Sequence, residues 1–127
     1  MKKEIYIIRK IFIVITFSFF SISCSDDCVF SSITTESLPD AIIEQEYSAA
    51  IEYDISCSYT SKFAEIIEGN LPQGIEMDGS GTFSGIPTTE GSFTFKIKLR
   101  ICFGSGATGA TGCSDKTKEF TITVNSE

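Results

Sequence analysis

Apolar and polar residues alternate along three stretches of this chain, and a period of two marks a strand with one dry face and one wet face. Tyr47, Ala49, Ile51, Tyr53 and Ile55 alternate with Ser48, Ala50, Glu52, Asp54 and Ser56. Phe93, Phe95, Ile97, Leu99 and Ile101 alternate with Thr94, Lys96, Lys98 and Arg100, and Phe120, Ile122 and Val124 alternate with Thr121 and Thr123. Each stretch predicts a half-buried strand whose aromatic side chains enter the core. Between them lie Leu71-Pro72-Gln73-Gly74, Asp78-Gly79-Ser80-Gly81 and Glu90-Gly91, each with glycine where a turn calls for positive φ. No segment sustains a helical apolar period over three turns, so the pattern predicts an all-β domain.

A different pattern opens the chain. Lys2, Lys3, Arg9 and Lys10 precede the apolar run Ile11 to Phe20, then Ser21-Ile22-Ser23-Cys24, then Ser25-Asp26-Asp27. The run is shorter than the roughly 20 residues a membrane span needs and fits the apolar core of an export signal. Residues 21–24 resemble the bacterial lipobox, in which small residues precede a cysteine that is acylated and becomes the new N-terminus. Ser23 fits that pattern better than Ser21, where Leu is usual; an ordinary secretory signal with a cysteine near its end is the other reading. The expected organisation is a lipoprotein signal peptide over 1–23, a lipidated N-terminus and tether over 24–37, and the folded domain over 38–127. Ser25 directly after the cysteine resembles lipoproteins sorted to an outer membrane, periplasmic or surface-exposed, and Asp26-Asp27 resembles a surface-export tag. Acyl chains transfer about 0.8 kcal/mol per buried methylene, so several chains on Cys24 would hold a domain at a bilayer.

Charge narrows the partners. Removing residues 1–23 takes away four basic residues and Glu4, leaving six basic and sixteen acidic side chains, a net charge of −10. Nucleic acid is thereby disfavoured, because binding it needs clustered Lys and Arg to displace counterions. Repulsion from anionic headgroups would help a tethered domain stand off its membrane. The remaining length suits one domain and leaves no room for a second.

The stretch from Asn70 to Phe95 resembles the putative Ig domain family of bacterial surface proteins, close to dystroglycan-type cadherin-like domains. The family pattern is Leu-Pro-x-Gly-hydrophobic, a tight glycine turn, Gly-x-Pro-x-x-x-Gly and an alternating strand; Leu71, Pro72, Gly74, Gly85, Pro87 and Gly91 fall on it. Leu38-Pro39 and Glu46-Tyr47 resemble the opening strand, so the likeness covers most of residues 38 to 124. Ser56 to Phe63 depart from it, standing where the family has Gly-Gly and Pro-Pro-Tyr-x-Trp. The resemblance implies an Ig-like or cadherin-like β-sandwich of about seven strands, and a fold of this kind does not name an activity. Cadherin-like membership also implies Ca²⁺ by resemblance alone. Asp78 is the one candidate ligand, its other reading being plain turn chemistry, and no Asp-x-Asp-x-Asp-Gly loop occurs.

Five cysteines minus a lipidated Cys24 leave four, which in an oxidising envelope suggests two bridges among three pairings. Cys102 continues the outward set of Lys96, Lys98 and Arg100, while Cys113 shares the parity of Asp115, Thr117, Glu119 and Thr121. If these two face each other across a hairpin, the same register sets Phe95 opposite Phe120 and Phe93 opposite Ile122, all inward. Cys28 and Cys57 then form the second pair at one end of the sandwich. The rival, a four-cysteine zinc site, lacks any Cys-x-x-Cys pair.

The catalytic inventory is thin. With no histidine the chain builds no Ser-His-Asp or Cys-His arrangement, and no paired carboxylates sit in a recognisable motif. Gly104-Ser105-Gly106-Ala107-Thr108-Gly109 matches the dinucleotide pattern but leads into a strand, so no helix N-terminus would meet a phosphate. Without Trp, Tyr53 and Tyr59 are the remaining candidates for stacking on a sugar. Two classes stay open: a lipid-anchored, non-catalytic binding or structural module with a protein or glycan partner, or a calcium-dependent adhesion or carbohydrate-binding domain. For the first, the expected working surface is the end carrying the Cys57 region and the loop from Gly104 to Gly112, which could equally be an inert connector.

Overall fold

The structure is a computed structural model, and it describes residues 29–104 and 111–126. Among the described residues every regular element is a strand. In chain order they are β1 (Phe30–Ile33), β2 (Ala41–Ile42), β3 (Tyr47–Ala50), β4 (Tyr53–Ile55), β5 (Ser61–Gly69), β6 (Ile75–Met77), β7 (Thr82–Gly85), β8 (Gly91–Gly104) and β9 (Thr111–Asn125).

The first alternating stretch is one strand in sequence and two in space. At Ile51–Glu52 the chain leaves the ladder with β7 and joins a ladder with β1, so β3 pairs with β7 while β4 pairs with β1, both antiparallel. The junction keeps its backbone bonds: Ile51 N–H donates to the Gly81 carbonyl at 3.0 Å, and Thr34 N–H donates to the Glu52 carbonyl at 2.9 Å. Alternation survives the break, with Tyr47 and Ile51 buried and Ala49, Tyr53 and Ile55 packed against the core. Taking β3 and β4 as one bent strand, the order across one sheet is β1, β4/β3, β7, β6, and the other is β2-β9-β8-β5. That is four strands packed on four in an immunoglobulin-like sandwich, eight once β3 and β4 are joined, one more than the about seven expected.

The domain begins earlier than the expected boundary at Leu38. Phe30 and Ile33, placed by the sequence in a tether, are 3% and 7% exposed and belong to the core. Their spacing of three hides the strand, and the ladder with β4 shifts register between Phe30 and Ser32 to accommodate it.

The β8–β9 hairpin is the spine. Its register sets Phe95 opposite Phe120, Phe93 opposite Ile122 and Cys102 opposite Cys113, as strand parity required. Phe95, Ile97, Leu99, Ile101 and Ile122 are essentially inaccessible to solvent. Phe83 on β7 meets Phe95 with ring centroids 5.6 Å apart, and this contact joins the two sheets. Full burial of such a side chain stabilises by roughly 1.5–3 kcal/mol, so this inner layer holds the sheets together. β9 also runs much further toward the hairpin tip than Phe120, because Asp115 to Glu119 keep the ladder while their side chains are polar on both faces.

β5 has no alternation to announce it. Phe63 is 55% exposed while Ala64 is buried, and a register shift between Ile66 and Glu68 leaves Ile67 as an extra residue. Its outer edge is occupied in part by the β6–β7 turn, where Ala64 N–H donates to the Gly79 carbonyl at 2.8 Å. A bulge together with a covering turn makes a poor template for a further strand.

Candidate functional site

The chain enters the domain at the end where the β8–β9 hairpin turns. Val29 N–H donates to Ser56 Oγ at 3.0 Å, and Ser56 N–H donates to the Val29 carbonyl at 3.1 Å. Thr60 donates to the Cys102 carbonyl twice, from its N–H at 2.8 Å and its Oγ1 at 3.0 Å. These bonds gather Val29, the segment 56–60 and the distal part of the hairpin at one end of the sandwich. The loop expected to join them, Gly104 to Gly112, is described at its two margins, and residues 105–110 lie outside the described residues. Those margins, Gly104 at the end of β8 and Thr111 at the start of β9, are strand on both sides.

On this end sits an aromatic cluster. Tyr53 meets Phe30 edge-on with centroids 6.2 Å apart and meets Tyr59 at the same separation. The phenol of Tyr53 donates to that of Tyr59 at 3.0 Å. Lys62 places its ammonium 4.9 Å above the Tyr53 ring, an arrangement that stabilises by roughly 0.5–1 kcal/mol at an exposed site. Phe30 anchors the cluster from the core, whereas Tyr59 is 41% and Val29 51% exposed. The two tyrosines named from the sequence are therefore brought together. Lys62 and Val29 were not singled out, although Lys62 is the sole cation between Lys10 and Lys96, a signal that could have found it.

Charges line the outer face of β5–β8–β9 in cross-strand pairs. Lys96 bonds Glu68 at 2.8 Å, Lys98 pairs with Glu65, and Arg100 meets Asp115 through two bonds of 2.8 Å. Asp115 holds the Arg100 guanidinium proton more tightly, and Arg100 in turn pulls the Asp115 carboxyl below the usual range. Beyond this row the hairpin is closed by the Cys102–Cys113 disulfide.

Asp78 is a turn anchor. Its Oδ1 accepts from Ser80 Oγ at 2.6 Å, Ser80 N–H at 2.8 Å and Thr82 N–H at 2.9 Å. The hydrogen bond from Ser80, followed by that from Thr82, lowers its pKa. Among the described residues no three His, Cys, Asp or Glu side chains come together as a metal-holding group. Cys57 is disulfide-bonded. Cys28, the partner expected for it, and Cys24, the expected lipidation site, lie outside the described residues.

The cluster presents aromatic faces, phenol hydroxyls and an ammonium on an open surface, groups suited to contact with a partner. Among curated proteins none matches this sequence. Among solved structures, the chain is similar to a putative alpha-galactosidase from Bacteroides fragilis, at 20% identity and a TM-score of 0.53 over 76% of this chain. It spans 18% of that protein's length, and the likeness is one of fold. The family profile described as "Putative Ig domain" matches residues 29–125, from the residue before β1 to the last residue of β9, taking in Phe30 and Ile33 as well as the glycine and proline motif. The chain belongs to the Putative Ig domain family.

Proposed function

We propose that this protein is a non-catalytic module of the bacterial cell envelope, held at the outer membrane by acyl chains on Cys24 and presenting one Ig-like domain to a protein or glycan partner. An Ig-like domain serves as a binding or structural module. One observation carries the anchoring: the lipobox-like stretch Ser21-Ile22-Ser23-Cys24 follows a basic start and an apolar run and stops six residues before the first strand begins at Phe30. An acylated cysteine so placed tethers a domain without interrupting it.

Metabolic labelling with an alkynyl fatty acid, followed by membrane fractionation, tests this reading. Wild-type protein takes up label and sediments with membranes, while Cys24→Ala loses both and keeps its folded domain. Label or sedimentation retained in Cys24→Ala overturns the anchor.

A further inference from the structure

We infer that the domain stands on the bilayer through the end that carries Val29, Tyr59 and Lys62, with these side chains at headgroup level and its acidic end turned outward. The inference rests on the anchor at Cys24 and adds to it an orientation and a lipid-contacting surface.

Tether length comes first. Five peptide steps separate Cys24 from Val29, and a chain of that length reaches at most roughly 18 Å when fully extended. Val29 is fixed beside Ser56 at the hairpin end. β8 alone is 14 residues long, so the opposite end lies roughly 40 Å away along the strands. An acyl root at Cys24 therefore keeps the Val29 end near the lipid and leaves the far end out of the tether's reach.

Surface chemistry agrees with that geometry. Val29 and Tyr59 are two of the exposed large apolar side chains, and Tyr59 shares a hydrogen bond with Tyr53 under the Lys62 ammonium. A tyrosine with an apolar ring and a wet hydroxyl suits the boundary between headgroups and acyl chains, and a lysine beside it reaches phosphate while its stem stays on apolar surface.

Charge is graded along the same axis. From the level of Ile97 toward the hairpin tip, the β5–β8–β9 sheet carries Lys62, Lys98, Arg100, Lys116 and Lys118 against Glu65 and Asp115, with Asp78 in the turn bonded to Ala64, Glu52 beside Thr34 and Asp54 on β4 as further acids. Lys118 lies over the Phe120 ring, and neither it nor Lys116 forms a salt bridge among the described residues. Toward the other end lie Asp40, Glu44, Glu46, Glu76 and Glu90, placed there by the β2–β9 pairing, the Glu44-to-Pro87 backbone bond, the β3–β7–β6 ladder and the start of β8. Among the described residues Lys96 on β8 is the one cation on that side of Ile97, and Glu68 and Glu119 stand beside it. An anionic bilayer repels that end and tolerates the other, so charge and tether select the same pose. A partner in the envelope then meets the acidic end, and the surface around Cys57 faces lipid.

The acylated full chain in bicelles of phosphatidylethanolamine and phosphatidylglycerol, doped with a nitroxide-headgroup lipid, tests the pose by NMR. Amide signals of Val29, Ser58 and Tyr59 are expected to lose most of their intensity while those of Glu44, Thr88 and Glu90 keep theirs. A second variant, Val29→Ser with Tyr59→Ser, stays anchored but loses several-fold of that broadening. Equal broadening at both ends, or none in protein that remains bicelle-bound, overturns the orientation and leaves the anchor intact. Broadening unchanged in the double variant overturns the contact role given to Val29 and Tyr59. Absence of acyl chains on Cys24 overturns the anchor, and the orientation falls with it.

Discussion

Cys102 and Cys113 stand directly opposite each other near the tip of the β8–β9 hairpin, two pairs beyond the ion pair of Arg100 with Asp115 on the same face. Bond and salt bridge fasten the part of the hairpin that extends past Phe120, where β9 contributes polar side chains in place of core.

Removing that bridge should loosen the tip first. Replacing both cysteines with serine releases a loop closed over a sequence separation of 11, and the chain-entropy model assigns such a closure about 3 kcal/mol. We expect the double variant to unfold at lower denaturant with an equal or slightly steeper slope, because the released loop lets the unfolded chain expand. Hydrogen exchange should rise at residues 100–104 and 111–115 before it rises at Phe95 or Phe120. Equal acceleration along the whole hairpin would show that the bridge supports the core and not the tip.

Two carboxylates contribute to the acid limb of stability. Asp115, held down by Arg100, and Asp78, held down by Ser80 and Thr82, both have folded pKa values below their unfolded ones. Between those values the unfolded chain binds more protons, so stability rises with pH there. The contribution is fully present above an unfolded pKa of about 3.9 and is lost as pH falls through the folded value. Asp115→Asn should therefore be less stable than wild type near neutrality, and the gap should close as pH falls through the folded value, which leaves the variant with a shallower dependence on pH in the acid range. Melting temperatures across an acid series check this. Because Oδ1 of Asp78 is occupied by the turn, neither calcium nor a chelator should shift the melting temperature at neutral pH.

The hairpin was legible in the sequence because three constraints agreed on one register: the alternation of Phe93 to Ile101, the alternation of Phe120 to Val124, and the shared outward parity of two cysteines. β5 was not legible, since Phe63 faces out, Ala64 faces in and Ile67 is inserted at a bulge, so no period of two survives. β1 was hidden for a related reason, its buried Phe30 and Ile33 being three apart. The candidate site shared that fate in part. Tyr53 and Tyr59 stood out as aromatics, but the positions of Val29 and Lys62 beside them follow from the pairing of β1 with β4 and of β5 with β8. Those pairings join residues twenty or more apart, which local pattern does not encode.

The glycine and proline motif has a steric reason that a single substitution tests. Gly85 has φ of 137°, and a Cβ there would stand 2.0 Å from the Gly74 carbonyl oxygen. Gly74 in turn has φ of 94° and would put a Cβ 2.0 Å from the Ile86 carbonyl oxygen. The two backbones approach closely because Ile86 N–H donates to the Gly74 carbonyl at 3.0 Å and Ile75 pairs with Gly85. Gly85→Ala must both strain φ and part the strands. It should destabilise by more than the ~1 kcal/mol that the same change yields, with opposite sign, at a compatible site. Chemical denaturation measures the loss, and an alanine tolerated at Gly112, where nothing lies within 4 Å, serves as the control.

Tyr47 links the start of β3 to the chain before β2. Its side chain is 5% exposed and its hydroxyl donates to the Pro39 carbonyl at 3.0 Å. Burial, with a smaller contribution from the charge of Asp40, raises its pKa to about 12. Folding thus favours the protonated phenol, and the stability this supplies is fully present below an unfolded pKa of about 10 and is lost as pH rises toward 12. Tyr47→Phe keeps the ring but removes both the hydrogen bond and the titration. It should lose about 1 kcal/mol at neutral pH, the net value of an ordinary hydrogen bond, with the Pro39 carbonyl left short of a donor. The difference from wild type should shrink as alkali erodes the wild-type advantage. Parallel denaturation curves at neutral pH and above pH 10 decide the matter, since a gap that stays constant would mean that the phenol does not ionise on unfolding in this range.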